Sequence, residues 1–255
     1  MTAAAPARRP GIRSMIILIV CEAKMVARDT AGLIVPIGLP LLILITSASS
    51  AGDEEIFEGM TALDLFVLPL VLVVVVATIG IINMPSFLAY YRRSGILRRL
   101  AVTPASPMMV LIAQAIVSVL QAAIGVLLAL TIAMLAFGAH PPRSPWIALG
   151  VVALTVAAMY AVGMIVAAVA PTPNSAVAIG LVAFFALGAL GGLFGGRQAL
   201  PAPLAELGAW LPFGAAVDSL SAAWAGVAVN GGQLLSLGIT VVIGLVTAAL
   251  FFRWE

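Results

Sequence analysis

Between its clusters of charge, this chain runs through apolar stretches too long for the core of a soluble domain. Ala62 to Met84 carries Asp64 near one end and no other ionisable group, and Pro107 to Gly138 carries none at all. A helix that crosses a bilayer needs about 20 consecutive, mostly apolar residues, and both runs meet that length. Only helices or closed barrels satisfy every backbone donor and acceptor inside lipid, and continuous apolar runs of this length select helices. The whole sequence agrees: 63% of its 255 residues are hydrophobic and 9% charged, against about a quarter charged in a soluble domain. The reading is an all-α polytopic membrane protein forming one domain over 1–255, with spans at about 32–48, 62–84, 107–138, 145–170, 176–194 and 233–252.

Several details refine these spans. Pro36 and Pro40 fall one turn apart in the first. Each removes a backbone donor, so neighbouring helices must satisfy the carbonyls set free. Asp53, Glu54, Glu55 and Glu58 make an acidic loop. In the second span, Val71 to Val76 suits a lipid-facing surface, Asp64 reads as a hydrated residue at the outer boundary, and Asn83 lies near the inner end. Gln114, Ser118, Gln121 and Gly125 line one stripe of the third span, and Ser236, Thr240, Gly244 and Thr247 one stripe of the last. Polar and small residues on one stripe face either a neighbouring helix or a substrate path, and spacing leaves both open for Gln114, Ser118, Gln121, Ser236 and Thr240. The glycines at 188, 191, 192, 195 and 196 favour either close helix contact or an unwound helix end.

Outside the spans, residues 1–10 read as a tail. Residues 11–30 read as an interfacial helix, because the apolar run Met15 to Cys21 is too short to cross and Glu22, Lys24, Arg28 and Asp29 follow at helical spacing. No small-x-small cleavage site follows that run, which argues against a signal peptide. Between Arg197 and Gly232, the prolines and tryptophans 201, 203, 210, 212 and 224 punctuate moderately apolar stretches and suggest interfacial or re-entrant helices. His140 and Arg143 belong to a short turn, where the histidine is expected to be solvated.

Six spans place both ends of the chain on one side. Arg8, Arg9, Arg13, Lys24, Arg28, Arg92, Arg93, Arg98, Arg99 and Arg253 then share that side, leaving Arg143 and Arg197 opposite. Basic residues accumulate in the cytoplasm, so both termini are expected there. With one histidine, one cysteine and one lysine that lies in no Walker A pattern, the chain offers neither a catalytic constellation nor a phosphate cradle of its own. A transporter or channel driven by an ion gradient is the competing class, and it calls for ionisable residues at mid-membrane that the spans lack.

The polar island between the second and third spans is the most specific stretch. Tyr90, Tyr91, Arg92 and Arg93 lead into Gly95-Ile96-Leu97-Arg98-Arg99-Leu100 and then Thr103-Pro104-Ala105-Ser106-Pro107. Ile96, Leu97 and Leu100 share a face that the arginines leave, which suits a short amphipathic helix over 92–103. Ser106-Pro107 then reads as an N-cap and the first position of a new helix. This order of span, Tyr-Arg-Arg, Gly-Ile-Leu-Arg-Arg-Leu, Thr-Pro-x-Ser-Pro and span resembles the cytoplasmic loop of ABC-2-type export permeases, within them the daunorubicin-resistance-like drug efflux branch. Pro171-Thr172-Pro173 and the region 197–232 resemble the same family.

The resemblance implies the type V exporter layout: six spans, an N-terminal interfacial helix, a cytoplasmic coupling helix and outer re-entrant helices. It implies a multi-pass permease of the bacterial cell membrane that is not itself an enzyme and binds no cofactor. ATP and Mg would sit on a separate ATPase subunit, and a second permease copy or paralogue would complete the path. Arg92, Arg93, Ile96, Leu97, Arg98, Arg99, Leu100 and Thr103 would form the ATPase-coupling element. The cargo would be a hydrophobic or amphipathic compound such as a drug, antibiotic or lipid-like molecule.

Overall fold

The computed structural model describes residues 11–52, 54–95 and 107–251. Its helices are α1 (Ile12–Arg28), α2 (Thr30–Ser50), α3 (Leu63–Arg93), α4 (Pro107–Phe137), α5 (Pro145–Val169), α6 (Pro173–Leu190), α7 (Ala202–Trp210), α8 (Pro212–Ala225) and α9 (Gly231–Phe251). Six of them, α2, α3, α4, α5, α6 and α9, are long and apolar enough to cross a membrane. The proposed coupling residues Ile96, Leu97, Arg98, Arg99, Leu100 and Thr103 lie outside the described residues.

The organising element is α3, which touches α2, α4, α5, α6 and α8. Val71, Leu72, Val73, Val74, Val75 and Val76 are each no more than 1% exposed, so the expectation of a lipid-facing run is corrected. Lipid tails and a membrane-protein interior are equally apolar, and composition does not separate them. Burial here is decided by the five neighbours that surround α3 on every side.

Two π-helical segments, Leu63–Val67 and Thr78–Asn83, interrupt α3. Widened turns of this kind shift the hydrogen-bonding register and tend to occur at functional positions. At the second one, the backbone approaches its neighbours closely. A Cβ on Gly163 of α5 would lie 1.9 Å from the Gly80 carbonyl oxygen, and one on Gly180 of α6 would lie 2.5 Å from that of Ile81. Only glycine, which has no side chain, permits such backbone contact.

The prolines of α2 behave as the missing donors require. Pro36 leaves the Gly32 carbonyl without its helical partner, and that oxygen accepts from Asn83 Nδ2 and Gln121 Nε2, each at 2.8 Å. Pro40 likewise frees the carbonyl of Pro36, which lies 3.3 Å from Thr78 Oγ1. The two backbone defects of α2 are thereby covered by polar side chains of α3 and α4.

Other boundaries differ from the sequence reading. The acidic segment forms a small antiparallel hairpin, Glu55–Phe57 with Met60–Thr61. Its turn residues Glu58 and Gly59 both have positive φ, at 45° and 82°, the conformation that two-residue hairpins prefer. The fifth span begins at Pro173 rather than 176, because Thr172 and Ser175 form a capping box and Pro173 occupies the first turn. It ends at Leu190 rather than 194. Gly192, Gly195 and Gly196 turn left-handed at φ 97°, 89° and 84°, so the glycine cluster unwinds the helix before α7 begins.

Candidate coupling face and the polar contacts behind it

The end of the protein that carries α1 is built from one amphipathic helix laid against two spans. Val26 of α1 packs with Phe87, Tyr91, Val110 and Val117, while Ile16, Ile17 and Val20 remain exposed. Arg13, Lys24 and Arg28 are also exposed. Asp29 closes α1 with its backbone and opens α2 with its side chain, which accepts from Gly32 N at 3.1 Å. One residue thus sets the corner between surface helix and span.

Glu22 is the charged residue that α1 turns inward, 7% exposed, and Tyr91 donates its hydroxyl to the carboxylate. Burial pushes the Glu22 carboxyl above its ordinary value, and the bond from Tyr91 pulls it part of the way back. A carboxyl raised in the folded state costs stability once pH exceeds the ordinary carboxylate value, and that cost recedes as pH falls toward it. The contact of α1 with α3 should therefore tighten on mild acidification. Glu22→Gln keeps an acceptor for Tyr91 and removes the ionisation, so hydrogen exchange in α1 should become insensitive to pH over that window; an unchanged pH response in the variant would remove Glu22 as its source.

The last turn of α3 carries the described part of the predicted coupling element. Arg93 is exposed, and Tyr90 is 48% exposed beside it. Arg92 is directed inward: its Nη2 donates to the carbonyls of Ala167 and Ala170 at 2.6 and 2.7 Å. A cation on the terminal carbonyls of a helix is favourably placed, because they carry the negative end of its dipole. Arg92 therefore ties α3 to the end of α5, and Arg93 is the member of the pair presented outward.

Behind this face, the polar stripe of α4 is buried. Gln114, Ser118 and Gln121 are 1%, 3% and 5% exposed. Gln121 spans α2 and α3 through Gly32 O and Asn83, and Gln114 Nε2 lies 3.4 Å from Ser118 Oγ. On α9, Ser236 donates to the Trp210 carbonyl, and Thr240 Oγ1 donates to that of Ser236 at 2.9 Å. Within this chain, then, the five candidate path residues sit in helix contacts or bond to backbone.

At the opposite end, a cluster unforeseen from the sequence joins four segments. Asp64 is fully buried, which corrects the expectation of a hydrated boundary residue. Its carboxylate accepts from Thr61 N at 3.0 Å, Thr61 Oγ1 at 3.2 Å and His140 N at 2.7 Å, and the His140 ring Nδ1 lies 3.0 Å away. The histidine is thus tied to a partner although its side chain is 55% exposed. Trp224 of α8 donates Nε1–H to the His140 carbonyl at 3.2 Å, Arg143 pairs with Glu58 of the hairpin, and Ser221 donates to Leu65 O in the first π segment. Separations in sequence of 76 residues or more, as for Asp64 and His140, hide such a cluster from any reading of local pattern.

A second polar group lies nearby. Arg197 Nη2 binds both oxygens of Asp218, at 2.6 and 2.7 Å, and Gln233 Nε2 donates to Asp218 Oδ2 at 2.7 Å. The glycine turn, α8 and the start of α9 are joined by this one carboxylate.

No curated protein matches the chain at a significant level. The family described as ABC-2 type transporter matches residues 13–225, from the first turn of α1 through α8. With that match over most of its length and six candidate spans, one of them the buried central helix, the chain belongs to the ABC-2 type transporter family.

Proposed function

We propose that this chain is the permease subunit of an ATP-driven exporter for hydrophobic or amphipathic compounds, with affinities to the drug-efflux branch of its family. Membership in the family makes it a transport subunit whose ATPase lies in a separate chain. The observation that carries the mechanism is the course of α3. One buried helix runs from the Asp64 cluster at one end to Arg92 and Arg93 at the other, where the predicted coupling element begins. A push on that element is transmitted along α3, because packed interiors move as units rather than deform continuously.

The basic residues support a cytoplasmic location for both termini and for the coupling face. A partner ATPase, holding ATP and Mg, would dock there against Arg93, the 96–103 segment and the exposed charges of α1. A second permease copy or a paralogue would complete the translocation path in the bacterial cell membrane. Conversion of both Arg98 and Arg99 to Glu should leave insertion and folding intact while reducing ATPase association or coupled hydrolysis by at least about tenfold, the size of a lost set of charge-assisted contacts. Association and hydrolysis at wild-type levels in that double variant would remove the loop from the coupling role.

The gradient-driven reading draws its one candidate from Asp64. All of its described contacts are donors held in place by the fold, which suits a latch between segments better than a group that must release and rebind a proton.

A further inference from the structure

The exposed surface of α1 divides lengthwise into two rows. Ile12, Ile16, Val20, Ala23 and Ala27 recur every three or four residues and form an exposed apolar row. Arg13, Ile17, Cys21, Lys24 and Arg28 form a second exposed row, which carries every cation of the helix. At 3.6 residues per turn the centres of the two rows lie about 100° apart, and the side that packs on α3 and α4, around Glu22 and Val26, lies about 120° from either. One side of α1 thus meets protein, one is apolar and one is basic.

The height of α1 is set by its junction with α2. Asp29 ends the first helix and caps the second, and the candidate span within α2 starts at Gly32. Arg28 therefore stands about one turn, and Lys24 about two turns, from the point at which the chain enters the bilayer. At that height a basic row bordering an apolar row meets headgroups on one side and acyl chains on the other. A soluble partner would have to cover both rows, whereas a lipid covers them with the two parts of one molecule.

The acids of this segment leave the basic row uncompensated. Glu22 is turned inward to Tyr91, and the Asp29 carboxylate accepts from Gly32 N. Among the described residues, Arg13, Lys24 and Arg28 form no ion pair. Lys24 and Arg28, one turn apart, share an open recess of about 510 Å³ with Cys21, Met25 and Asp29, so that two cations face one acid there. Such a pair suits a phosphodiester, whose oxygens accept from both side chains.

We propose that α1 binds the anionic phospholipids of its leaflet, with one phosphodiester held between Lys24 and Arg28, further headgroups along the row to Arg13, and acyl chains over Ile12, Ile16 and Val20. This binding does not rest on the exporter reading. It belongs to the permease without its ATPase, and it fixes the charges of α1 at the surface where the ATPase would meet them.

The test uses Cys21, which is exposed on the basic row and is the one cysteine of the chain, as the attachment point for a bimane fluorophore. The labelled full chain is placed in phosphatidylcholine nanodiscs without ATPase or nucleotide, and the label is quenched by added phosphatidylglycerol or phosphatidylcholine bearing a doxyl group near the headgroup. Half-maximal quenching is expected at about fivefold less phosphatidylglycerol, the effect of roughly one cation at an anionic surface. This preference should collapse at about 1 M salt, where the screening length falls to about 3 Å. Lys24→Gln combined with Arg28→Gln should abolish it, and Lys24→Arg should keep it. The comparison of lipids in the unaltered protein stands on its own should a variant lower the thermal midpoint. Equal quenching by the two lipids, quenching by neither, or a preference that survives in the folded double variant would overturn the inference, and a double variant that keeps the preference but loses its ATPase would give the row to the ATPase instead. A clear preference in a permease that couples to no ATPase would sustain the lipid site while removing the exporter reading, and coupled export without the preference would do the reverse.

Discussion

Gly163→Ala should unseat α5 from α3 and lower the stability of the protein by about 3 kcal/mol or more, at the upper end of what overpacking costs. The added methyl would stand 1.9 Å from the Gly80 carbonyl oxygen, and backbone has no rotamer by which to yield. Relief requires the two helices to separate by about 1 Å, which forfeits a quarter to a half of the dispersion energy of each contact along the seam. Because α5 also carries α9 and α8, the loss spreads through half the molecule. Gly150→Ala lies on the same helix with nothing within 4 Å of the added Cβ, and its effect should stay within about 0.5 kcal/mol. Thermal midpoints of the purified variants, read by size-exclusion chromatography after heating, provide the comparison. Equal midpoints for the two would contradict the close approach of α3 and α5.

The second large effect is expected at Asp64. Replacement by Ala withdraws the acceptor from Thr61 N, Thr61 Oγ1, His140 N and the His140 ring together. Loss of that acceptor should cost about 3 kcal/mol, because the Thr61 and His140 N–H groups are left part-buried without a partner while the exposed His140 ring turns to solvent. Asp64→Asn retains one oxygen for His140 N and offers its amide to the ring in the other tautomer, leaving chiefly Thr61 N unpaired. Its cost should be about 1–3 kcal/mol. If the cluster is a latch, ATP-dependent transport survives in Asp64→Asn and the thermal midpoint falls between those of wild type and Asp64→Ala. Transport abolished in a stably folded Asp64→Asn protein would instead assign the carboxyl a role in moving protons.

The two prolines of α2 show how far sequence reaches in a protein of this kind. Pro36 and Pro40 announce that two carbonyls need donors from elsewhere, since a missing N–H is a covalent fact. Which donors arrive is a tertiary matter, and Asn83, Gln121 and Thr78 are identifiable only once α2, α3 and α4 are side by side. The same division appears along α4. Gln114, Ser118 and Gln121 are readable as one face, yet a face turned to a helix and a face turned to cargo demand the same residues.

Val71 to Val76 was open to misreading for a different reason. In a soluble protein a wholly apolar helix is buried, but in a bilayer lipid is an equally good solvent for it, so hydropathy alone does not identify the central helix. Glycine carries better information. Gly80, Gly163 and Gly180 mark where backbones meet, although their pairing, like that of Asp64 with His140, spans too much sequence for periodicity to find. Signals with a local cause were the most legible: the short amphipathic α1, the six spans, and the helix starts at Pro107 and Pro145.

Co-purification of this permease in nanodiscs with a candidate ABC ATPase subunit, followed by ATP hydrolysis with and without the permease, tests the central claim most directly. A stable complex whose hydrolysis depends on the permease, and which falls by about tenfold when Arg98 and Arg99 are both changed to Glu, is the predicted result. No association with such an ATPase, in a permease shown to be folded by its thermal midpoint, would contradict the proposal that ATP hydrolysed on a separate subunit drives this chain.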